Sequence, residues 1–382
     1  MKPEVVTVKG QKSWRISNGN IEAAVSRKGG HMAPVSFYRD TKKPVQPYYI
    51  NPWAEEEDKA APGVLGALRG DFFCMPFGAD SIYKGEAHEL HGEPAGKIWK
   101  NPKLETDSST ALFTLTMDTK VRPGRVTKKI ILKEGHNAVY TDHILEGYSG
   151  LMTVAHHPCL ALPEEEGGMR ISTAPITGGF TAPRPAEAMF SAGGEYYAVA
   201  PGRRFKSLSK VPTVWKDVPY TDCSLFPRRD GFTDIIGICA KGGVSKPHWT
   251  AAAIPSEGYL WFSLKNPAVL PMTLFWMSNR GRHFFPWNGR NRCIGLEDIC
   301  AYLGEGLAAS AKKNPVSEFG VPTTVKLSPK KPLSVKYIQG VVKIPKSFDR
   351  VKKVKFEKEG VLFLSESGKE AKALLDWDFA LR

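Results

Sequence analysis

The sequence lacks several features that would assign it to a common class of protein. It contains no apolar run of about 18 residues and no apolar stretch of about 7 residues near its start, which argues against a membrane-spanning helix and a signal peptide. Its six cysteines include no CxxC pair, so neither a disulfide framework nor a zinc site is indicated. We therefore expect a protein of the cytoplasm that has reduced thiols and no membrane partner.

Sequence motifs for the commonest catalytic and nucleotide sites are also missing. The chain has no P-loop, GxGxxG, GxSxG, HExxH or kinase signature. Their absence argues against phosphate-cradling loops, a serine nucleophile elbow and zinc-protease chemistry.

The net charge of +14 raises the question of an acidic partner, but much of it lies at one end of the chain. Residues 312–382 contain 14 Lys and 2 Arg against 8 acidic residues. These cations alternate with Val, Phe and Leu, which is typical of the solvated face or protected edge of a sheet. We therefore expect no nucleic-acid partner.

Alternation of apolar and polar residues with a period of two dominates the sequence and predicts strands. Turns between them are marked by 36 Gly and 29 Pro, and the best helical pattern, residues 301–313, is interrupted by glycines. We predict one large antiparallel β-sandwich domain over residues 1–382, completed by a basic β segment at about residues 325–382. The clearest predicted strands are residues 111–116, 126–132, 138–145, 258–264 and 361–364.

A few histidines and one glutamate stand in unusual settings. His88 and His91 follow a turn-rich segment, the pair His156 and His157 closes a predicted strand, and Glu297 follows an aromatic and basic run. A histidine at a strand end is more often structural than catalytic. A metal site built from His88, His91 and Glu93 is disfavoured, because alternation places His88 on the opposite face from the other two.

Four short motifs, three of which contain one of these residues, follow one another in a characteristic order. The strand ending in Gly29-Gly30, His91-Gly92 followed by Trp99, His157-Pro158-Cys159-Leu160 and Gly295-Leu296-Glu297 succeed one another along the chain. In this order they resemble a divergent member of the galactose mutarotase-like (aldose 1-epimerase-like) superfamily. The resemblance covers most of the chain and implies a large β-sandwich.

The resemblance also implies a chemistry and the residues that perform it. Anomer interconversion needs a base at the C1 hydroxyl and an acid at the ring oxygen. By resemblance, Glu297 is the base, His157 the acid, and His91 holds a hydroxyl or shares the acid role, with no metal and no cofactor. The partner would be a monosaccharide or sugar derivative, and the protein a monomer or homodimer. The substrate-binding residues expected beside them are Arg69, Trp99, Phe77, Trp287 and His156, with Trp53 as a further aromatic platform.

Three questions stay open at the level of sequence. Strand alternation allows only one of His156 and His157 to face the site. A non-catalytic carbohydrate-binding protein of the same fold is an alternative to an enzyme. A sugar-phosphate 1-epimerase is another, because guanidinium groups suit phosphate and four arginines precede Glu297: Arg280, Arg282, Arg290 and Arg292.

Overall fold

Antiparallel strands form nearly all the regular structure of the chain. The computed structural model describes residues 3–56, 61–183, 194–243 and 245–382. Within these ranges the strands are β1 (Val5–Val8), β2 (Gln11–Ser17), β3 (Ile21–Ser26), β4 (Met32–Phe37), β5 (Phe73–Cys74), β6 (Ser81–Tyr83), β7 (Glu86–His88), β8 (Lys100–Thr106), β9 (Thr110–Thr119), β10 (Gly124–Lys133), β11 (Ala138–Glu146), β12 (Gly150–Met152), β13 (Val154–His156), β14 (Cys159–Ala161), β15 (Met169–Thr173), β16 (Ile176–Thr181), β17 (Arg204–Phe205), β18 (Val211–Pro212), β19 (Tyr220–Thr221), β20 (Leu225–Phe226), β21 (Phe232–Ala240), β22 (His248–Ile254), β23 (Tyr259–Lys265), β24 (Met272–Asn279), β25 (Arg292–Cys300), β26 (Val325–Leu327), β27 (Leu333–Lys343), β28 (Val351–Glu357), β29 (Gly360–Ser365) and β30 (Glu370–Leu374).

Helices are short and few in the described residues. They are α1 (Gly92–Gly96), α2 (Gly306–Ser310) and α3 (Pro315–Glu318), with 3₁₀ turns at Gly63–Gly66 and Trp377–Ala380. The helix expected at residues 301–313 is thus reduced to the short α2, because Leu303 and Gly306 both have positive φ angles, which a right-handed helix does not accept.

Two large sheets face each other and form the predicted β-sandwich. One has nine strands in the order β20-β15-β22-β23-β27-β11-β10-β9-β8, and the other has the order β17-β16-β21-β24-β25-β13-β5, with β14 also paired to β25. Side chains of the nine-stranded sheet reach across to the second: Ser263 and Tyr337 both donate hydrogen bonds to Asp298 on β25. The strands predicted from alternation are all present, and the fold class is confirmed.

Smaller sheets cover the sandwich. Strands β1–β4 form a four-stranded sheet near the start of the chain, and β28–β30 form a three-stranded sheet near its end. Of the basic C-terminal segment, β27 enters the nine-stranded sheet between β23 and β11. The terminal sheet packs on the outer face of the same sheet, where Phe363 lies 5.0 Å from Phe262 between ring centroids.

Strand β25 places its residues alternately on two different surfaces. It lies between β24 on one side and β13 and β14 on the other, and residues 293–300 are all buried. Because side chains alternate along a strand, Glu297 points away from the sandwich interior while Asp298 points into it. No helix in the described ranges is both long enough and apolar enough to span a membrane.

Candidate active site

Strand pairing brings the second histidine motif and the late glutamate together. His157 lies in the break between β13 and β14, and both strands pair with β25. The registers His156 to Asp298 and Cys159 to Gly295 place His157 opposite Glu297. The result is a contact of 3.1 Å between His157 Nε2 and Glu297 Oε1, made by two buried side chains.

Of the two adjacent histidines, only His157 faces this site. Its ring is stacked on Phe72 at 4.4 Å between centroids. His156 points into the sandwich, where Nδ1 lies 3.0 Å from Asp71 Oδ2 and the ring stacks on Tyr337. The structure therefore answers the question that alternation left open and places His156 away from the position expected for a substrate-binding residue.

His91 stands beside His157 at the start of a short helix. It adopts a left-handed backbone conformation, with φ of 59°, immediately before α1. Its ring meets that of His157 edge-to-face at 5.1 Å between centroids and lies 5.1 Å from the ring of Phe77. The turn thus adds a second imidazole to the same site.

These groups open into a cleft of about 350 Å³. Phe77 and Trp287, two of the residues predicted to bind substrate, line it together with Trp276 and aliphatic side chains. Apolar walls with a few convergent polar groups are the usual construction of a small-molecule site. The aliphatic part of the wall comprises Val64, Leu65, Leu68, Leu90, Ile235 and Leu274.

Burial shifts the pKa values of the central pair in opposite directions. Desolvation raises the pKa of Glu297 well above its usual value. Cys293 and Asp298 raise it further, whereas the positive charge of Arg282 opposes the shift. Desolvation also lowers the pKa of His157 well below its usual value, with the nearby His91 acting in the same sense. Both effects favour the uncharged forms, a protonated Glu297 carboxyl group and a neutral His157 imidazole.

Arg282 is the cation that lines the described part of the cleft. Its Nε lies 3.1 Å from Glu195 Oε1, and the guanidinium lies over the rings of Trp276 and Trp287 at 5.3 and 4.9 Å. The other three arginines of the expected basic cluster bind carboxylates outside the cleft: Arg280 with Asp230, Arg290 with Glu56, and Arg292 with Glu164.

Comparison with known proteins rests on three-dimensional structure alone, since no family model and no curated protein matches the sequence. A candidate aldose 1-epimerase from Escherichia coli K12 superposes with a TM-score of 0.57 at 14% identity, covering 88% of this chain and 100% of that one. A galactose mutarotase related enzyme from Lactobacillus acidophilus gives 0.53 at 14% identity, covering 87% and 98%. The chain has the galactose mutarotase-like fold. At such identities it is a divergent example of that fold.

Within the mutarotase-like fold, two of the expected substrate-binding residues lie away from the cleft lining. The Arg69 guanidinium is buried and donates hydrogen bonds of 2.8 Å to the carbonyl oxygens of Val8 and Lys9. The indole of Trp99 is buried and donates to Pro94 O at 2.9 Å. The structure gives both side chains partners in the protein framework rather than in the cleft.

The structure also shows where one further predicted aromatic residue and two residues not singled out by the sequence lie relative to the cleft. Trp53 packs behind the cleft wall on Trp287, at 5.0 Å between ring centroids. Trp276 lines the cleft from β24. All residues of this strand are buried, so the sequence pattern could not show which of its side chains point into the cleft. In the sequence Arg282 was one of four equivalent arginines. It is distinguished only in the structure, where the other three form ion pairs with carboxylates outside the cleft.

The Gly-Leu-Glu motif has a steric reason in this fold. A Cβ atom built on Gly295 would lie 2.6 Å from Oε1 of Glu297, closer than real contacts allow. Glycine at this position therefore leaves the space that the Glu297 carboxyl group occupies beside His157.

The residues of the disfavoured metal site have separate partners. His88 Nε2 contacts Glu86 Oε2 at 2.9 Å, and Glu93 accepts hydrogen bonds from the backbone N–H groups of Lys120 and Val121. Across the described ranges, no group of three or more His, Cys, Asp or Glu side chains has an arrangement that could hold a metal ion.

Proposed function

We propose that the protein interconverts the anomers of an aldose by acid–base catalysis in this cleft. The observation that carries the proposal is the contact between His157 Nε2 and Glu297 Oε1. The C1 hydroxyl oxygen and the ring oxygen of a pyranose are bonded to the same carbon. An acid and a base that serve them must therefore lie close together, as these two groups do.

The proposed reaction balances its protons within this pair. Glu297 as carboxylate takes the proton of the C1 hydroxyl while His157 as imidazolium protonates the ring oxygen. The bond between C1 and the ring oxygen breaks and the C1 aldehyde forms. After rotation about the C1–C2 bond, the ring closes on the other face of the carbonyl, and both protons return to where they began.

The neutral resting pair is compatible with this cycle. Proton transfer from Glu297 to His157 along their 3.1 Å contact produces the charged pair that ring opening needs, without exchange with solvent. His91 is placed to hold a sugar hydroxyl, and the rings of Phe77, Trp276 and Trp287 offer surfaces for the C–H faces of the sugar. In this proposal these residues serve as the acid, the base and the platform of the reaction.

Anomer exchange measured by saturation-transfer NMR across a panel of aldoses tests the proposal. We expect Glu297→Gln to lower kcat/KM at least about 100-fold, the usual contribution of a general base. The matched control is Glu105→Gln on β8, where the carboxylate is exposed and pairs with Lys103.

Two results would decide against the proposal. Exchange at the wild-type rate in Glu297→Gln contradicts the role of that residue. Sugar binding with no exchange above the spontaneous rate would instead establish a carbohydrate-binding protein with this fold.

A further inference from the structure

Arg282 has hydrogen-bonding capacity that its protein partners do not use. Its Nε is engaged by Glu195, whereas its two terminal nitrogens form no hydrogen bond with any described residue. The rings of Trp276 and Trp287 hold the guanidinium in place at 5.3 and 4.9 Å. A guanidinium with one edge bound and a second edge open is a bidentate receptor for an anion.

The position of Arg282 indicates which part of a sugar it would meet. Trp276 contacts both Arg282, at 5.3 Å, and His157, at 5.9 Å between ring centroids. The ring oxygen of a hexopyranose is bonded to C1 and C5, and C5 bears the exocyclic carbon C6. If His157 serves the ring oxygen, the substituent on C5 lies at the end of the cleft that contains Trp276 and Arg282.

Charge balance limits the kind of anion that fits. Arg282 is the one Lys or Arg among the described lining residues, Glu195 already shares its charge, and the acidic side chain of Glu305 also lines the cleft. Arg280, Arg290 and Arg292 are bound to carboxylates elsewhere. A dianion would bring a second negative charge into a largely apolar site without a second cation, which is costly. A group with one negative charge is better matched.

We propose that the substrate bears a carboxylate at C6, as in a uronic acid, and that Arg282 binds this carboxylate through its terminal nitrogens. The inference rests on the proposed function for its orientation of the sugar. It adds the substrate class, which neither the fold nor the acid–base pair specifies. Arg282 is thereby the residue that separates acidic from neutral hexoses.

Binding measured by titration calorimetry tests this inference independently of turnover. The probes are D-glucuronate and D-galacturonate, compared with D-glucose, D-galactose and D-glucose 6-phosphate. We expect each uronate to bind wild-type protein at least about 10-fold more tightly than its neutral counterpart, as for a charge-assisted bidentate contact. Arg282→Gln should abolish that preference, so that each uronate binds no more tightly than its neutral counterpart.

Two further variants separate recognition from a general effect of charge. Arg282→Lys keeps the cation but loses the planar fork, so we expect it to recover only part of the preference. Arg280→Gln removes an arginine that pairs with Asp230 outside the cleft and should leave the preference unchanged. If Arg282→Gln does not fold, Arg282→Lys tests the role of Arg282, and wild-type protein without any preference for uronates overturns the inference.

The same sugars, followed by exchange NMR in wild-type protein and Glu297→Gln, separate the two proposals. Uronate binding that depends on Arg282 but leads to no exchange supports the inference and contradicts the epimerase function. Exchange of neutral hexoses without any preference for uronates overturns the inference and leaves the function standing. Tighter binding of the 6-phosphate than of the uronate also overturns it.

Discussion

Glu297 and Asp298 are adjacent acids that the fold places in opposite electrostatic environments. Burial raises the pKa of Glu297, and no lysine or arginine of the described ranges forms an ion pair with it. Burial opposes ionisation of Asp298 too, but the ammonium of Lys265 at 2.5 Å and hydrogen bonds from Thr273 and Tyr337 lower its pKa overall. Two adjacent carboxyl groups thus have opposite pKa shifts, raised for Glu297 and lowered for Asp298.

At this scale we expect Lys265→Met to destabilise the fold by about 3–5 kcal/mol, because it leaves the Asp298 carboxylate buried without its cation. Urea unfolding at neutral pH measures the loss. Arg125→Ala, which breaks an exposed ion pair with Asp118, is the control and should leave the unfolding midpoint nearly unchanged. An equally small effect of Lys265→Met would show that Asp298 is not charged in the folded protein.

At the scale of the element, β25 and its neighbours β13 and β14 build the central pair through register. His157 comes to Glu297 because cross-strand pairs persist on both sides of the break between β13 and β14. Gly295, two residues before Glu297 on the same face, keeps the space beside the carboxyl group open. Strand geometry therefore sets the distance between His157 and Glu297 more than any loop does.

We expect Gly295→Ala to lower kcat/KM at least about 10-fold, because the new Cβ would displace a carboxyl oxygen that a productive geometry must fix closely. Stability should change little, since the displaced atom is the end of a flexible side chain. Exchange NMR and thermal unfolding measure the two effects. Gly242→Ala, where a Cβ would meet nothing within 4 Å, is the matched control, and equal activity in the two variants would contradict the steric argument.

At the scale of the whole molecule, the sandwich buries an unusual set of neutral histidines. His31 is fully buried, stacks on Phe72, and has its pKa lowered to about 3 by desolvation. Desolvation likewise lowers the pKa values of His143 and His157 well below their usual value. Folding therefore keeps these rings uncharged under conditions in which an unfolded chain would protonate them.

This makes the fold sensitive to mild acid. At a pH between the folded and unfolded pKa values of such a histidine, only the unfolded chain binds the proton, and this favours unfolding. The free energy of unfolding therefore falls as pH drops below about 6.5. His31 alone accounts for a loss of about 2 kcal/mol at pH 5. Glu297 acts in the opposite sense, because its raised pKa favours the fold as pH falls, but it is one group against several.

Urea midpoints at pH 7.5 and pH 5.0 measure this dependence. His143→Phe should reduce it, because the imidazole stacks flat on Phe73 at 4.0 Å and both ring nitrogens lack hydrogen-bond partners in the described structure. A phenyl ring fills nearly the same space without an ionisable group. Midpoints that do not change between the two pH values would contradict this account.

Much of the fold follows from local sequence. Alternation identified β9, β10 and β29, in which buried positions alternate with more exposed ones. It also identified β11 and β23, although both faces of these two strands are largely buried. The ordered motifs around His91, His157 and Glu297 pointed to residues that the structure does bring together. The prediction of one domain over residues 1–382 stays a prediction, and the packing of Phe363 on Phe262 supports a shared core.

What the sequence by itself determined is the alternating pattern of the strands and the identity of the acid and base candidates. Only the tertiary structure decided that His157 rather than His156 faces the cleft, that Arg69 binds the carbonyls of Val8 and Lys9, and that Arg282 alone of four arginines lines the site. The physical reason is that these outcomes depend on register and on partners far away in the chain. The local sequence shows which side chains are present, whereas strand pairing and packing across the sandwich decide which residues each of them contacts.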